Sequence, residues 1–410
     1  MCDLPKMPGI KLLHDSALAQ LVEQMTVNHW VAGSSPAGGA KSFTMFVQGV
    51  PNHDALFAIT CRSCSSQRSN HQNADTYVPP DGAPGQALRP QSPHMGTVPL
   101  IGGISIYLSV VISSVAFLDL PETFIGIALI CGLVTFIGAL DDRYPMHAVY
   151  RLVVQLIAGL AIASIGVKVT NLGNLFALGN LHLGLLAIPF TAIAITGLCN
   201  AYNMVDGIDG LAGGLTLVSV GSLLFLTLGK APDNETALLA FLCTSILTFM
   251  VFNLTLRSKI KVFMGDAGST FLGCAVAIAM IYFSQSGRNI INPATALWLV
   301  AIPMMDMVST MLRRMGKGKS PFRADRTHLH HVLMRGGLSQ RQALVCILLV
   351  AVGSALVGVF LERVWPQHEA VSFGLWLVGF GVYFKFVVKH GFRLTKMIRR
   401  RGGLLPSVGS

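Results

Sequence analysis

From Val98 onward the chain alternates long apolar runs with short polar connections. Ten runs can be laid out, over 98–119, 122–140, 150–166, 183–199, 211–229, 235–256, 268–285, 294–312, 341–361 and 371–389. Most reach the roughly 17–25 residues that a helix needs to cross the hydrocarbon core of a bilayer. The pattern predicts an all-α fold, a polytopic integral membrane bundle of about ten transmembrane helices. Residues 167–182, VKVTNLGNLFALGNLH, fit no span and predict a short hairpin or an interfacial segment. No soluble domain interrupts residues 98–396. Residues 1–97 are rich in Gly, Pro, Ser, Asn and Gln, hold no run long enough to span, and lack the pattern of a signal peptide. Their composition predicts disorder over residues 1–88.

Composition agrees. The chain is 52% hydrophobic and 12% charged, against roughly 25% charged residues in a soluble domain. The net charge of +11 does not indicate nucleic acid, because the bases follow topology. Arg143 and Arg151, then Arg257, Lys259 and Lys261, then Arg313, Arg314, Lys317, Lys319, Arg323, Arg326, Arg335 and Arg341 fall in alternate connections. The tail adds Lys389, Arg393, Lys396, Arg399, Arg400 and Arg401, whereas the opposite connections hold only Lys168, Lys230, Arg288 and Arg363. The positive-inside rule makes the basic face cytoplasmic and puts both termini there. Such a face suits anionic lipids and phosphorylated substrates. Cys61 and Cys64 form a CxxC without the second half a zinc site needs, and nothing in the cysteine pattern suggests an oxidising compartment.

The acids sort less blandly. Asp119, Glu122, Asp233, Glu235, Glu362 and Glu369 fall on the outer side, but Asp141, Asp142, Asp206, Asp209, Asp266 and Asp325 all fall on the basic side, and Asp306 lies inside a span. In GALDDRY, the adjacent Asp141 and Asp142 read either as a solvated helix end or as a site for a metal or an activated phosphate, since neighbouring carboxylates repel without a cation. In NAYNMVDGIDGLAGG, Asn200, Asn203, Asp206 and Asp209 recur every three residues, which on a helix is one face. Their oxygens suit a hard cation; the bland reading is a turn. In KVFMGDAGST, Asp266 and Ser269 stand at a predicted helix N-terminus, either as caps or as a site for phosphate or for a metal held against it. In SPFRADRTHLHH, Arg326, His328, His330 and His331 either grip phosphate or form a basic loop, and their spacing fits zinc poorly. Asp306 marks a function or a buried pair, with Arg313 or Arg314 as partners. Together these groups suggest phosphoryl transfer from a soluble phosphorylated donor to a lipid phosphate.

The segments HMGTVPLIGGISIY (94–107), FIGALDDRY (136–144), NAYNMVDGIDGLAGGL (200–215), KVFMGDAGST (261–270), AIPMMDM (301–307) and SPFRADRTHLHH (320–331) resemble, in order and spacing, the polyprenyl-phosphate N-acetylhexosamine-1-phosphate transferases, most closely the WecA-type branch. The resemblance implies transfer of N-acetylglucosamine 1-phosphate from UDP-N-acetylglucosamine to undecaprenyl phosphate with release of UMP. It implies Mg²⁺ or Mn²⁺ and a bacterial cytoplasmic (inner) membrane with a cytoplasmic active site. It also implies a role early in building a cell-surface polysaccharide. Membrane lipids are expected partners, nucleic acid is not, and a homodimer is compatible with it. Asp266 is similar to the principal metal ligand, with Asn203 as a second. Asp141 and Asp142 are similar to the pair that activates the lipid phosphate or supports the metal, and Asp206 and Asp209 to a second acidic pair. Asp209 and Phe263 resemble uracil contacts, Asn200 a substrate-binding amide, and Arg326, His328, His330 and His331 the sugar-phosphate loop. Another UDP-N-acetylhexosamine or a UDP-muramoyl-pentapeptide donor would use the same chemistry. A transporter would place its acids at the midplane and show repeats.

Three departures stand out. The family usually has eleven spans, and the first is missing here; residues 1–93 are expected to be a non-homologous extension or a misassigned start, ahead of a transferase domain over 94–396 and a basic tail over 397–410. Only Arg89 stands in for a basic pair before the first motif. The Lys usual after the acidic pair is absent, leaving Arg151 as the nearby base.

Overall fold

The computed structural model describes residues 98–257, 260–285, 287–320 and 328–390. The expected extension over 1–93 with Cys61, Cys64 and Arg89, the tail over 397–410, and Arg323, Asp325 and Arg326 lie outside the described residues.

Among the described residues there are twelve α-helices and no strand. They are α1 Gly102–Phe117, α2 Glu122–Arg143, α3 Ala148–Ser164, α4 Ala187–Val205, α5 Leu211–Thr227, α6 Asp233–Asn253, α7 Gly265–Ser284, α8 Pro293–Leu299, α9 Ala301–Met315, α10 Leu329–Arg335, α11 Gln340–Val364 and α12 Glu369–Phe384. Nine single helices and the α8–α9 pair occupy the ten expected spans. Six are long and apolar enough to cross a bilayer, α1, α3 and α5 are shorter apolar helices, and α8–α9 passes only as a pair. The chain is thus an integral membrane protein of helical-bundle type.

α7 is the axis of the bundle, with nearly all of its residues buried. α1, α2 and α4 pack directly on it. Lipid supplies no hydrophobic force between helices, so close contact depends on small residues. The crossings show this: a Cβ on Gly103 would lie 2.1 Å from the Gly268 nitrogen, and one on Gly138 would lie 2.5 Å from the Ala267 Cα. One on Gly273 would lie 2.6 Å from the Cys199 Cα. Backbone against backbone at these points fixes the ends of α2, α4 and α7 relative to one another.

The eighth span differs from expectation. Instead of one helix over 294–312, α8 and α9 meet at 83°. Pro303 explains the break, because it has no N–H for the Leu299 carbonyl and its ring would crowd it. The freed carbonyls find side chains instead: Ser219 Oγ donates to Leu299 O (2.7 Å), Ser354 Oγ to Trp298 O (3.1 Å) and Trp376 Nε1 to Leu297 O (3.1 Å). Irregular backbone at membrane depth survives only where protein satisfies it in this way. Of the two readings of 167–182, the hairpin is the one observed. Asn171 pairs with His182, and Gln285 Oε1 accepts from the Thr170 and Asn171 amides.

Candidate active site

The N-terminus of α7 organises the first group. Gly265 has φ +72°, a conformation open to glycine at little cost, and turns the chain abruptly into the helix. The first amides of a helix have no partner within it. Here Asp142, from the end of α2, supplies one: its Oδ1 accepts from the Asp266 amide (2.8 Å) and its Oδ2 from the Ala267 amide (3.1 Å). Asp266 carries its carboxylate to the rim of the bundle, where the side chain is a quarter exposed. Its Oδ1 accepts from Asn203 Nδ2 (2.8 Å) and its Oδ2 from Arg151 Nη1 (3.0 Å). Arg151 Nη1 also meets Asp141 Oδ2 at 2.5 Å, while Asp141 Oδ1 accepts from the Met146 amide at 2.6 Å. The two adjacent aspartates therefore do different things. Asp142 caps a helix, and Asp141 holds a guanidinium between itself and Asp266.

The segment after α4 forms the second group. α4 ends at Val205, so Asp206 and Asp209 lie in turns beyond it rather than on one helical face with Asn200 and Asn203. Asn200 also leaves that row: its Nδ2 donates to Gln155 Oε1 (2.6 Å) and to Thr196 O (2.7 Å), tying α4 to α3. Asp206 closes α4 with its amide on Tyr202 O (3.1 Å). Asp209 pairs with Lys261 (2.5 Å), whose ammonium stands 5.3 Å from the centre of the Phe263 ring. Phe263 is pinned to the approach of α1, its amide on Pro99 O and its carbonyl accepting from Gly102, each at 3.0 Å.

The histidine segment forms the third group. His328 precedes α10, and its ring and that of His330 lie parallel with centres 6.2 Å apart; His331 stands 4.1 Å from His330. His330 is buried, and among the described residues neither of its ring nitrogens has a hydrogen-bond partner. Burial, reinforced by neighbouring His331, pushes its pKa down to about 4, so at neutral pH it is an uncharged imidazole. Its edge faces Gly207, where a Cβ would lie 2.1 Å from Nε2. The third group therefore touches the second directly.

Arg151 and Lys261 are the residues that motif reading left out of the site. Each had a signal. Arg151 is one of two bases, with Arg143, at the shortest inner connection, and Lys261 lies two positions before Phe263 on extended chain, hence on the same side. Among the described residues no three His, Cys, Asp or Glu side chains gather as a metal cage. A magnesium-type ion does not require one, since it commonly uses one or two carboxylates with water and substrate phosphates. Asp266 with the Asn203 amide oxygen fits that donor set.

The chain matches the family model of glycosyl transferase family 4 over residues 124–284. It is similar to the undecaprenyl-phosphate alpha-N-acetylglucosaminyl 1-phosphate transferase of Yersinia pestis, 40% identical over 314 residues, 75% of this chain and 84% of that protein. The enzyme of the same name from Escherichia coli K12 is 38% identical over 316 residues, with the same shares. That from Haemophilus influenzae is 35% identical over 313 residues, covering 75% of this chain and 87% of the relative.

Proposed function

The chain belongs to glycosyl transferase family 4, and from that premise we propose that it transfers N-acetylglucosamine 1-phosphate from UDP-N-acetylglucosamine to undecaprenyl phosphate, releasing UMP. The observation that carries this reading is the convergence of three groups at the basic end of a membrane bundle: the Asp266–Asn203–Arg151–Asp141 cluster, the Asp209–Lys261–Phe263 nest, and the histidine helix set against Gly207. The relatives' shared name agrees with it. By the charge distribution this end faces the cytoplasm, in a bacterial inner membrane.

In the reaction an oxygen of the lipid phosphate attacks the β-phosphorus of the donor. The bond from that phosphorus to the bridging oxygen breaks, and UMP departs with the oxygen. Phosphoryl transfer of this kind depends on positioning and charge stabilisation. Phe263 offers a face for the base, and Asp209 an acceptor beside it, oriented by Lys261. Arg151, fixed by Asp141, supplies positive charge to the phosphate end and can form charge-assisted bonds there. Asp142 keeps the α7 terminus, and hence Asp266, in register. His330 acts as a neutral donor or acceptor, while His328, His331 and Arg326 complete the sugar-phosphate side. Asp266 and Asn203 would hold Mg²⁺ or Mn²⁺, which when bound neutralises pyrophosphate charge.

The test uses membranes containing the protein, supplied with UDP-N-acetylglucosamine and undecaprenyl phosphate and scored for divalent-metal-dependent UMP release. Asp266→Asn should abolish turnover with the protein still in the membrane. Absence of UMP from well-expressed wild type would sink the proposal.

A further inference from the structure

Asp306 is almost completely buried, and none of the roles above uses it. It does not pair with Arg313 or Arg314 on its own helix. Its Oδ2 lies 2.8 Å from His328 Nδ1, and its Oδ1 accepts from the Leu329 amide and from the Tyr383 hydroxyl, each at 2.9 Å. Three elements thus converge on one carboxylate: α9 supplies it, α12 supplies Tyr383, and the start of α10 supplies the amide and the imidazole. A carboxylate this deep is costly unless donors satisfy it, and here both oxygens are satisfied. A carboxylate can only accept, so His328 carries its proton on Nδ1. Nε2 is then the one ring atom left for other partners. A second group that fixes tautomer and ring orientation is how a carboxylate commonly makes a histidine useful. The Tyr383 hydroxyl and the Leu329 amide hold Oδ1, which stops the carboxylate from turning away from the ring. The break at Val300 sets the direction of the helix that carries Asp306, so the irregular span and the histidine segment are parts of one device.

We propose that Asp306, braced by Tyr383, is a positioning residue for the transfer reaction: it fixes His328 as the Nδ1–H form and so presents Nε2 as a hydrogen-bond acceptor to a hydroxyl or amide N–H of the donor's sugar. This rests on the function proposed above. Asp306→Asn keeps the shape but offers an N–H to the imidazole, reversing the tautomer. Its kcat should fall on the order of a hundredfold or more, as when the same change reverses a catalytic histidine elsewhere. The KM for UDP-N-acetylglucosamine and the thermal midpoint should stay near wild type. The Asp306→Asn/His328→Gln double variant should be no slower than His328→Gln alone, because the aspartate acts only through that ring. Additive losses, or wild-type kcat in Asp306→Asn, would overturn the proposal. Should Asp306→Asn not fold, Tyr383→Phe removes one donor to the same carboxylate, and its smaller loss of kcat should likewise vanish in the His328→Gln background; a loss that persists there counts against the proposal. A wild type that releases no UMP refutes the proposed function instead. The tautomer is then read directly from nitrogen-15 spectra of histidine-labelled protein, with the His328 signals identified by their loss in His328→Gln. A protonated Nδ1 in wild type and a protonated Nε2 in Asp306→Asn are expected; the same tautomer in both would overturn the proposal.

Discussion

Gly207→Ala offers a sharp test of how the histidine helix and the acidic loop meet. The Gly207 backbone is not left-handed, so alanine carries no conformational penalty there, and the consequence is purely steric. The new methyl would lie 2.1 Å from His330 Nε2, 2.7 Å from Cε1 and 2.9 Å from Cδ2. Ordinary carbon contact begins near 3.5 Å, so the ring edge must retreat by roughly 1.4 Å. The ring is fully buried, with His328 and His331 beside it, so it has little room. Overpacking of this kind costs about 1–3 kcal/mol. A misplacement of about 1 Å near the reacting groups can cost on the order of a hundredfold in rate. Gly207→Ala should therefore lower the thermal midpoint of the detergent-solubilised protein by several degrees and reduce UMP release by about two orders of magnitude. The control is His330→Ala, which removes the obstructing ring. In that background Gly207→Ala should cost less than about 0.5 kcal/mol, because the interacting pair has been dismantled. Equal destabilisation in both backgrounds, or a Gly207→Ala protein with wild-type stability and rate, would refute the contact.

Other outcomes follow from the same geometry. Gly265→Ala forces a methyl into a backbone with φ +72°, 2.4 Å from Asp142 Oδ2; the left-handed penalty of about 1–2 kcal/mol and the displaced cap should show as a marked fall in thermal midpoint. Asp142→Ala should destabilise by about 1–2 kcal/mol, the scale of a lost helix cap, and Asp142→Asn by less, both measured by thermal unfolding. His330 has its pKa lowered to about 4 from 6.5, so between those values the unfolded chain binds the extra proton. Its contribution to stability is fully present above about 6.5 and is lost as pH falls toward 4; thermal midpoints across that window should drop less steeply in His330→Phe than in wild type. Lys261→Met removes the partner of Asp209 and the cation over Phe263, together worth about 1 kcal/mol. The KM for the UDP-sugar should rise about fivefold with kcat nearly unchanged.

How much of this was visible in the chain depends on which physical rule a residue obeys. Span positions were legible because hydrocarbon thickness fixes run length, and the nine single helices fall where the apolar runs do. The acidic motifs were legible as a group, because charge at a membrane rim needs a reason. Their division of labour was not. Asp141 and Asp142 read as a pair, yet successive residues on a helix point about 100° apart, and the structure turns one to Arg151 and the other to the α7 amides. Spacing by three likewise promised one face for Asn200 through Asp209. It works only while the helix lasts, and α4 stops at Val205.

The break between α8 and α9 was hidden for a different reason. A single proline in a span is tolerated when neighbours re-satisfy the backbone, so Pro303 alone does not announce a bend. Its consequence depends on Ser219, Ser354 and Trp376, which come from α5, α11 and α12 and meet the loose carbonyls only in three dimensions. The role of Asp306 is bound to the same event. On a straight helix its natural partners were Arg313 or Arg314, two turns along. α9 runs unbroken from Asp306 to Arg314, yet the carboxylate faces away from them, and the bend at Val300 aims this helix so that it meets His328, Leu329 and Tyr383, from 22 to 77 positions further along the chain. Local pattern could flag Asp306 as an ionisable group that needs a partner, but only the satisfied geometry of the break could say which one.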